Sequence, residues 1–205
     1  MTDTALVHLV RHGEVYNPDK ILYGRLPGYH LSTRGRNMAA ATAKSFTGHD
    51  VTLLAASPLT RAQETAAPIA EVTGLDTEKW PEIIEAGNDF TGLHIKGWDS
   101  ALWNPKHWPK LAKPLNPSWG EHYEEIAERM IGAVHKAAKL AQGHEAVLVS
   151  HELPIVMVQR TIQGKPLPHN PALRRCSLAS VTSVYVVNGQ IVDMYYSEPA
   201  AEVTR

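Results

Sequence analysis

Cysteine is nearly absent from this chain: Cys176 is the only one among 205 residues. A single thiol cannot form an internal disulfide, which fits a reducing compartment. The first residues, Met1 to Thr4, have neither the basic region nor the apolar stretch of a signal peptide. We therefore expect a cytoplasmic protein.

A strong net charge and long apolar runs are lacking as well. The formal net charge is −1, so no overall field would attract nucleic acid or an anionic membrane. The basic pair Arg174-Arg175 is too short a run to indicate nucleic-acid binding. No uninterrupted apolar run approaches the roughly 20 residues that span a bilayer. We expect neither nucleic acid nor a membrane as a partner.

A short apolar run, residues 5–10, ends in Arg11, His12 and Gly13. A run of this length, rich in Val and Leu and closed by a glycine turn, predicts a buried strand. Ligands of open α/β sheets bind just beyond the carboxyl ends of such strands. A guanidinium and an imidazole at that point, with a glycine that permits close backbone approach, predict an anion site.

Short apolar strands alternate with longer helical segments along the chain. Strands are predicted at residues 5–10, 51–55 and 146–149, and helices at 37–46, 58–72, 121–142 and 152–163. Ser32 or Thr33 is expected to cap the first helix and Ser57 the second. Pro68 should kink the second helix or end it early, and Gly74 should be its stop. Asn188-Gly189 between two apolar runs predicts a hairpin. This pattern predicts an α/β fold, a three-layer sandwich with a mostly parallel central sheet and an antiparallel edge.

The composition changes between residues 94 and 120, where tryptophans, prolines and lysines follow one another without a regular period. Long segments of this kind are usually functional or disordered, and the tryptophans argue against disorder. We predict a small cap insertion over the site, at about residues 94–120. Because no linker or repeat is evident, residues 1–205 are expected to form a single domain.

Three predicted strands end in residues that suit a phosphoryl group. Arg11 and His12 follow the first strand, Arg61 lies one helical turn after the second, and His151 follows the third. Because the carboxyl ends of parallel strands share one edge, these side chains should meet there. Guanidiniums grip phosphate oxygens bidentately, and imidazoles and helix N-termini add hydrogen bonds. The expected ligand is a small-molecule phosphoester.

The same residues suggest a reaction. One imidazole could attack phosphorus while Arg11, Arg61 and the other imidazole stabilise charge on the equatorial oxygens. A carboxylic acid must then protonate the leaving alkoxide. Glu85, just before a glycine turn, is the first candidate, and Glu14 and Glu152 are the alternatives.

Several linked motifs carry a resemblance to a known family. They are Arg11-His12-Gly13-Glu14, Asn17, Tyr23-Gly24, residues 31–36, residues 57–66, Glu85 and Val149-Ser150-His151. With these motifs the chain resembles the histidine phosphatase superfamily, in its phosphoglycerate-mutase-like branch. The match runs over most of the chain in the family's order.

The resemblance implies a role for each matching position. His12 would be transiently phosphorylated, and Arg11, Arg61 and His151 would hold the phosphoryl group. Glu85 would act first as the acid and then as the base that activates water. Asn17, Tyr23 and Gly24 fall on the phosphate-loop positions, although the family often has Gln in place of Tyr23. The resemblance implies no metal and no organic cofactor.

The chain also departs from the family pattern. Glu152 follows His151 where the family usually has glycine, and a carboxylate there would weaken phosphate binding unless it pointed away. Gly120-Glu121-His122 stands where many members have Gly-Glu-Ser. The Glu-Arg-His-Tyr-Gly block and the later paired arginines of the mutases are absent. These departures favour a phosphatase over a mutase.

Our leading hypothesis is a histidine (acid-type) phosphatase, a metal-independent phosphomonoesterase that acts on a small phosphorylated metabolite through phosphohistidine at His12. The alternatives are a cofactor-dependent phosphoglycerate mutase and a non-catalytic phosphoester-binding module. A homodimer, through a sheet edge or the cap, is one candidate assembly. His8 is expected to be a hydrogen-bonded structural residue. The sequence spacing between His49 and other possible ligands is not that of a metal site.

Overall fold

The computed structural model describes residues 4–94 and 120–203. Its strands are β1 Thr4–Arg11, β2 Val51–Ala56, β3 Glu78–Lys79, β4 Glu145–Ser150, β5 Val181–Val187 and β6 Gln190–Ser197. They form one sheet in the order β3-β2-β4-β1-β5-β6. The first four strands of that order run parallel, whereas β5 is antiparallel to β1 and β6 to β5. The predicted parallel sheet with an antiparallel edge is confirmed.

Helices cover both faces of this sheet. They are α1 Thr33–Lys44, α2 Thr60–Thr73, α3 Tyr123–Leu140 and α4 Glu152–Ile162. Val7 and Leu9 of β1 pack with α3 and α4, whereas Val10 packs with α1 and α2. Because side chains alternate along a strand, a strand buried on both faces reads as a continuous apolar run. Among the described residues, no helix is both long and apolar enough to cross a bilayer.

α1 begins at Thr33, because the Ser32 hydroxyl accepts a hydrogen bond from the Gly35 N–H (2.9 Å) and caps the helix. The prediction that Ser32 or Thr33 caps this helix is therefore confirmed, and α4 begins at the predicted Glu152. α2 begins at Thr60, and the prediction that Ser57 caps it is wrong. The Ser57 hydroxyl instead lies 2.7 Å from Nε2 of His151.

Pro68 does not shorten α2, contrary to expectation. The helix continues to Thr73 and ends at Gly74, whose φ of 72° provides the predicted left-handed stop. Ala66 and Ile69, on either side of the proline, are fully buried against the sheet. Their packing outweighs the backbone hydrogen bond that proline removes.

Gly13 allows close packing of two backbone segments, and the close approach of a ligand that its position suggested stays a prediction. A Cβ on Gly13 would lie 2.5 Å from the carbonyl oxygen of Gly35, and a Cβ on Gly35 would overlap the carbonyl of Glu14. The first turn of α1 therefore rests directly on the loop after β1. The Gly13 N–H donates to the hydroxyl of Thr65 on α2 (3.1 Å), so both helices fix this loop.

The predicted cap at residues 94–120 lies outside the described residues except at its two ends. Its structure stays a prediction, and so does the single domain over residues 1–205.

We expect Gly35→Ala to lower the free energy of unfolding by about 2–3 kcal/mol, because the added methyl group meets a backbone carbonyl that cannot turn aside. Urea unfolding measures this. Gly132→Ala on α3 is the matched control, since a Cβ there meets nothing within 4 Å and should stabilise the helix by up to about 1 kcal/mol. Similar losses of unfolding free energy in both variants would show that the close backbone contact at Gly35 is not the cause.

Candidate active site

The carboxyl ends of three parallel strands bring four predicted site residues together. Arg11 ends β1 and His12 follows it, Arg61 lies in the first turn of α2, and His151 stands between β4 and α4. His12, Arg61 and His151 are at most 2% exposed. The His12 and His151 rings lie 5.2 Å apart, centroid to centroid.

Hydrogen bonding determines which nitrogen of His12 is free to react. Nδ1 lies 2.8 Å from the carbonyl oxygen of Gly13, which only accepts, so Nδ1 carries the proton. The lone pair of Nε2 accepts from Nε of Arg61 at 3.3 Å. Burial, followed by the charges of Arg61 and Arg11, holds the pKa of His12 well below its ordinary value. The ring is therefore neutral, and Nε2 has the lone pair that a nucleophile needs.

His151 is neutral for the same reasons. Burial, then the neighbouring His12 and Arg61, hold the pKa of His151 well below its ordinary value. Its Nε2 contacts the hydroxyl of Ser57, whereas its Nδ1 is buried without a hydrogen-bond partner among the described residues. Nε of Arg11 is unpartnered in the same way. An unpaired buried polar atom costs about 1–3 kcal/mol, so acceptor oxygens of a bound anion would stabilise this pair.

Both guanidiniums are held in place by backbone carbonyls. Arg11 donates from Nη1 to the carbonyl of Cys176 (2.5 Å), and Arg61 donates from Nη2 to the carbonyl of Gly24 (2.7 Å). The Arg61 guanidinium also lies 4.8 Å from the ring centroid of Tyr23, in a cation–π contact. Burial raises the pKa of the Cys176 thiol to about 12, so Cys176 is a packed thiol.

A cavity of about 480 Å³ opens at this edge of the sheet. Its walls include the predicted residues Arg11, His12, Asn17, Tyr23, Gly24 and Glu85. The amide of Asn17 is used within its own loop, donating to the carbonyl of Ile21 (2.9 Å) and accepting from its N–H (3.3 Å). Asn17 therefore closes the loop that carries Tyr23 and Gly24.

Of the three candidate proton donors, Glu85 lines the cavity and has the raised pKa that a proton donor needs. Burial raises the pKa of Glu85 despite the hydrogen bond from the Ala86 N–H and the charge of Arg61. The carboxyl group therefore retains its proton to a higher pH than an exposed carboxyl. Glu14 instead binds Ser32 (2.8 Å) and Arg34 (2.7 Å) and does not line the cavity.

The loop that carries Glu85 is fixed by a carboxylate that sequence reasoning left without a role. Glu121 accepts from Arg129 (2.6 Å), from Arg25 (2.7 Å) and from the N–H of Gly87 (3.2 Å). Arg25 also donates to the carbonyl of Glu85 at 2.6 Å. Glu121 therefore positions Glu85 through Arg25 and Gly87, and the neighbouring His122 is the N-cap residue of α3.

Glu152 lines the cavity, although phosphate binding would be favoured if this carboxylate pointed away from it. Its Oε2 lies 2.7 Å from Nη2 of Arg11, and its Oε1 lies 3.4 Å from Nη1 of Arg174. Arg174 lines the same cavity and was missed by sequence reasoning. No motif marks it, because the chain brings it back to the site only after α4 and the short 3-10 helix Pro171–Leu173.

Two buried imidazoles and two anchored guanidiniums at the carboxyl edge of an α/β sheet are the features of an anion-binding enzyme site. A model of the histidine phosphatase superfamily (branch 1) matches residues 7–194. The chain belongs to this superfamily.

Relatives extend over nearly the whole chain. The uncharacterized protein Rv0525 of Mycobacterium tuberculosis is 49% identical over 201 residues, which are 98% of this chain and 100% of that protein. A protein of Cronobacter sakazakii named "Probable phosphoglycerate mutase GpmB" is 29% identical over 197 residues, 91% of this chain and 90% of that protein.

Solved structures agree with this membership. The mycobacterial glucosyl-3-phosphoglycerate phosphatase Rv2419c matches with a TM-score of 0.68 and 25% identity, over 89% of this chain and 90% of that one. A structure titled "Mycobacterial hydrolase 1" matches with a TM-score of 0.72 and 26% identity, over 89% and 92% of the two chains. The protein is therefore an enzyme of a superfamily whose members include phosphatases and mutases.

We expect Glu152→Gln to tighten the binding of inorganic phosphate by about fivefold, because it removes a negative charge that pairs with Arg11. The inhibition constant for phosphate, or calorimetry, measures this. Glu71→Gln, at an exposed position on α2, is the control for the change in net charge and should have no effect. Weaker binding in Glu152→Gln would indicate that this carboxylate orients Arg11 for the anion and does not compete with it.

Proposed function

We propose that this enzyme is a metal-independent phosphomonoesterase that hydrolyses a small phosphorylated metabolite through a phosphohistidine intermediate. The observation that carries the proposal is the unprotonated Nε2 of His12, which accepts from Arg61 at the wall of the cavity. A neutral imidazole whose other nitrogen is hydrogen-bonded to a carbonyl has one reactive nitrogen, and Nε of Arg61 lies 3.3 Å from that atom.

In the first step, the hydrogen bond from Arg61 to Nε2 of His12 breaks, the Nε2 lone pair attacks phosphorus, and the bond between phosphorus and the ester oxygen breaks. Glu85 gives its proton to the leaving alkoxide and becomes a carboxylate. Arg11, Arg61 and His151 stabilise the charge on the equatorial oxygens. The carbonyl of Gly13 accepts from Nδ1 throughout and thus stabilises the positive charge on the phosphorylated ring.

In the second step, the Glu85 carboxylate takes a proton from water, and the water oxygen attacks phosphorus. The bond between Nε2 and phosphorus breaks, and His12 and protonated Glu85 are restored. Inorganic phosphate leaves. Each group returns to its starting state, so the cycle needs no further reactant.

The Glu152 carboxylate favours hydrolysis over phosphoryl transfer to a second anionic substrate. It lies 2.7 Å from Arg11, where it would repel an additional anionic group. Arg174 is the observation that favours the alternative, a phosphoglycerate mutase, since its guanidinium at the cavity wall suits a substrate carboxylate. The names of the relatives include both activities.

Phosphate release from a panel of phosphomonoesters in the presence of EDTA tests the proposal, with His12→Ala as control. We expect release that does not need metal and that falls by at least about a thousandfold in the variant, because the nucleophile is lost. If phosphoglycerates interconvert faster than phosphate is released, the enzyme is a mutase. If neither reaction occurs, the protein is a phosphoester-binding module.

We expect Glu85→Gln to slow the cleavage of an alkyl phosphate by about a hundredfold or more, since the alkoxide leaves poorly without a proton. The cleavage of p-nitrophenyl phosphate should be slowed far less, because its leaving group needs no acid. The first-turnover rates of the two esters measure the difference. Equal losses for both esters would rule out Glu85 as the proton donor.

The pKa shifts also predict a pH profile. Glu85 must be protonated, so kcat/KM for an alkyl phosphate should fall as the pH rises through the raised pKa of Glu85. His12 should cause no loss near the ordinary imidazole range, because its lowered pKa keeps it neutral there. This alkaline limb should disappear in Glu85→Gln, whereas the ionisation of the ester itself affects both enzymes equally. An unchanged limb would contradict the assignment.

A further inference from the structure

Two histidines and a glutamate meet towards the amino-terminal ends of the parallel strands, away from the candidate active site. His8 lies on β1, Glu145 is the first residue of β4, and His49 lies just before β2. Nε2 of His8 and Nδ1 of His49 are each 2.8 Å from the same oxygen, Oε2 of Glu145. All three ligand atoms lie within 4.8 Å of one another.

We propose that this cluster, His8–His49–Glu145, binds a divalent transition-metal cation of the zinc type. Two imidazole nitrogens and one carboxylate oxygen form a ligand set that proteins use for Zn²⁺, with a fourth position left for water. The cluster is open to solvent on one side, because His49 is exposed and Glu145 is half-buried, whereas His8 is buried. A cation can therefore enter, and a water molecule can complete a tetrahedron.

The surroundings of His8 are those of a metal ligand. Its second ring nitrogen, Nδ1, lies 2.8 Å from the hydroxyl of buried Ser183. A metal-binding imidazole typically donates its other N–H to such an acceptor, which fixes the ring and directs the remaining lone pair at the metal. The ring of Phe46 contacts His8 edge-on at 5.2 Å and His49 at 5.8 Å, so an apolar wall supports both ligands.

The cluster lies apart from the reaction proposed for His12. His12 lies four positions after His8 along extended chain, a distance of about 13 Å. A bound cation would join β1, β4 and the turn before β2. Bound cation should stabilise the folded chain, and its removal should leave phosphate release unchanged.

The same contacts also fit two imidazoles that simply donate hydrogen bonds to one carboxylate. Calorimetric titration with Zn²⁺, after dialysis against EDTA and then against chelator-free buffer, separates the two accounts. We expect one Zn²⁺ ion per chain and a rise in Tm of about 3 °C or more at saturation. His49→Ala, at an exposed position, should weaken binding by at least about tenfold, and so should Glu145→Gln.

The control is His144→Ala, which removes a neighbouring exposed imidazole that pairs with Asp50 (2.6 Å) and is not a member of the cluster. It should bind Zn²⁺ like the wild type. Co²⁺ should give the visible absorption of a tetrahedral site in the wild type and in His144→Ala, but not in His49→Ala. No stoichiometric binding, or equal affinities in wild type, His49→Ala and Glu145→Gln, would overturn the proposal.

Discussion

The hydrogen bond between Nδ1 of His12 and the carbonyl of Gly13 is the interaction on which the candidate active site depends. It leaves Nε2 as the unprotonated nitrogen of the ring, with a lone pair that accepts from Arg61. The carbonyl can hold that orientation because the loop after β1 is itself fixed by the contact between Gly13 and Gly35 and by Thr65. The backbone packing of two helices therefore determines the chemistry of one imidazole.

Burial favours the neutral form of each titratable group in the site, so it lowers the pKa of an imidazole and raises the pKa of a carboxyl group. Removal from water lowers the pKa values of His12 and His151, which are therefore neutral, and it raises the pKa of Glu85, whose carboxyl group retains its proton to a higher pH than an exposed one. A neutral nucleophile and a protonated acid are the two states that cleavage of a phosphoester requires at the start of the reaction. Glu152 forms an ion pair with Arg11 (2.7 Å), so its charge competes with that of a bound anion for this guanidinium.

The order of strands and helices and the position of the site at one edge of the sheet could be predicted from the sequence, because both depend on local pattern and chain order. The alternation of short strands and helices gave the sheet, and the residues after β1, β2 and β4 meet because parallel strands end at one edge. The directions of the side chains could not be predicted from the sequence: the Ser57 hydroxyl contacts His151 at 2.7 Å and accepts only a long hydrogen bond, 3.4 Å, from the N–H of Leu59. The Glu152 side chain likewise lines the cavity. Arg174 and the His8–His49–Glu145 cluster depend on contacts between distant segments, for which no spacing in the sequence gives a signal.

The most direct test of the account is to trap the intermediate. Rapid alkaline quenching during turnover, followed by mass spectrometry and phosphorus NMR, would locate the phosphoryl group. We expect the phosphoryl group on Nε2 of His12. It should form before free phosphate appears and should be absent from His12→Ala. Phosphorylation of His151, or a wild-type enzyme that releases phosphate at full rate without any covalent intermediate, would contradict it.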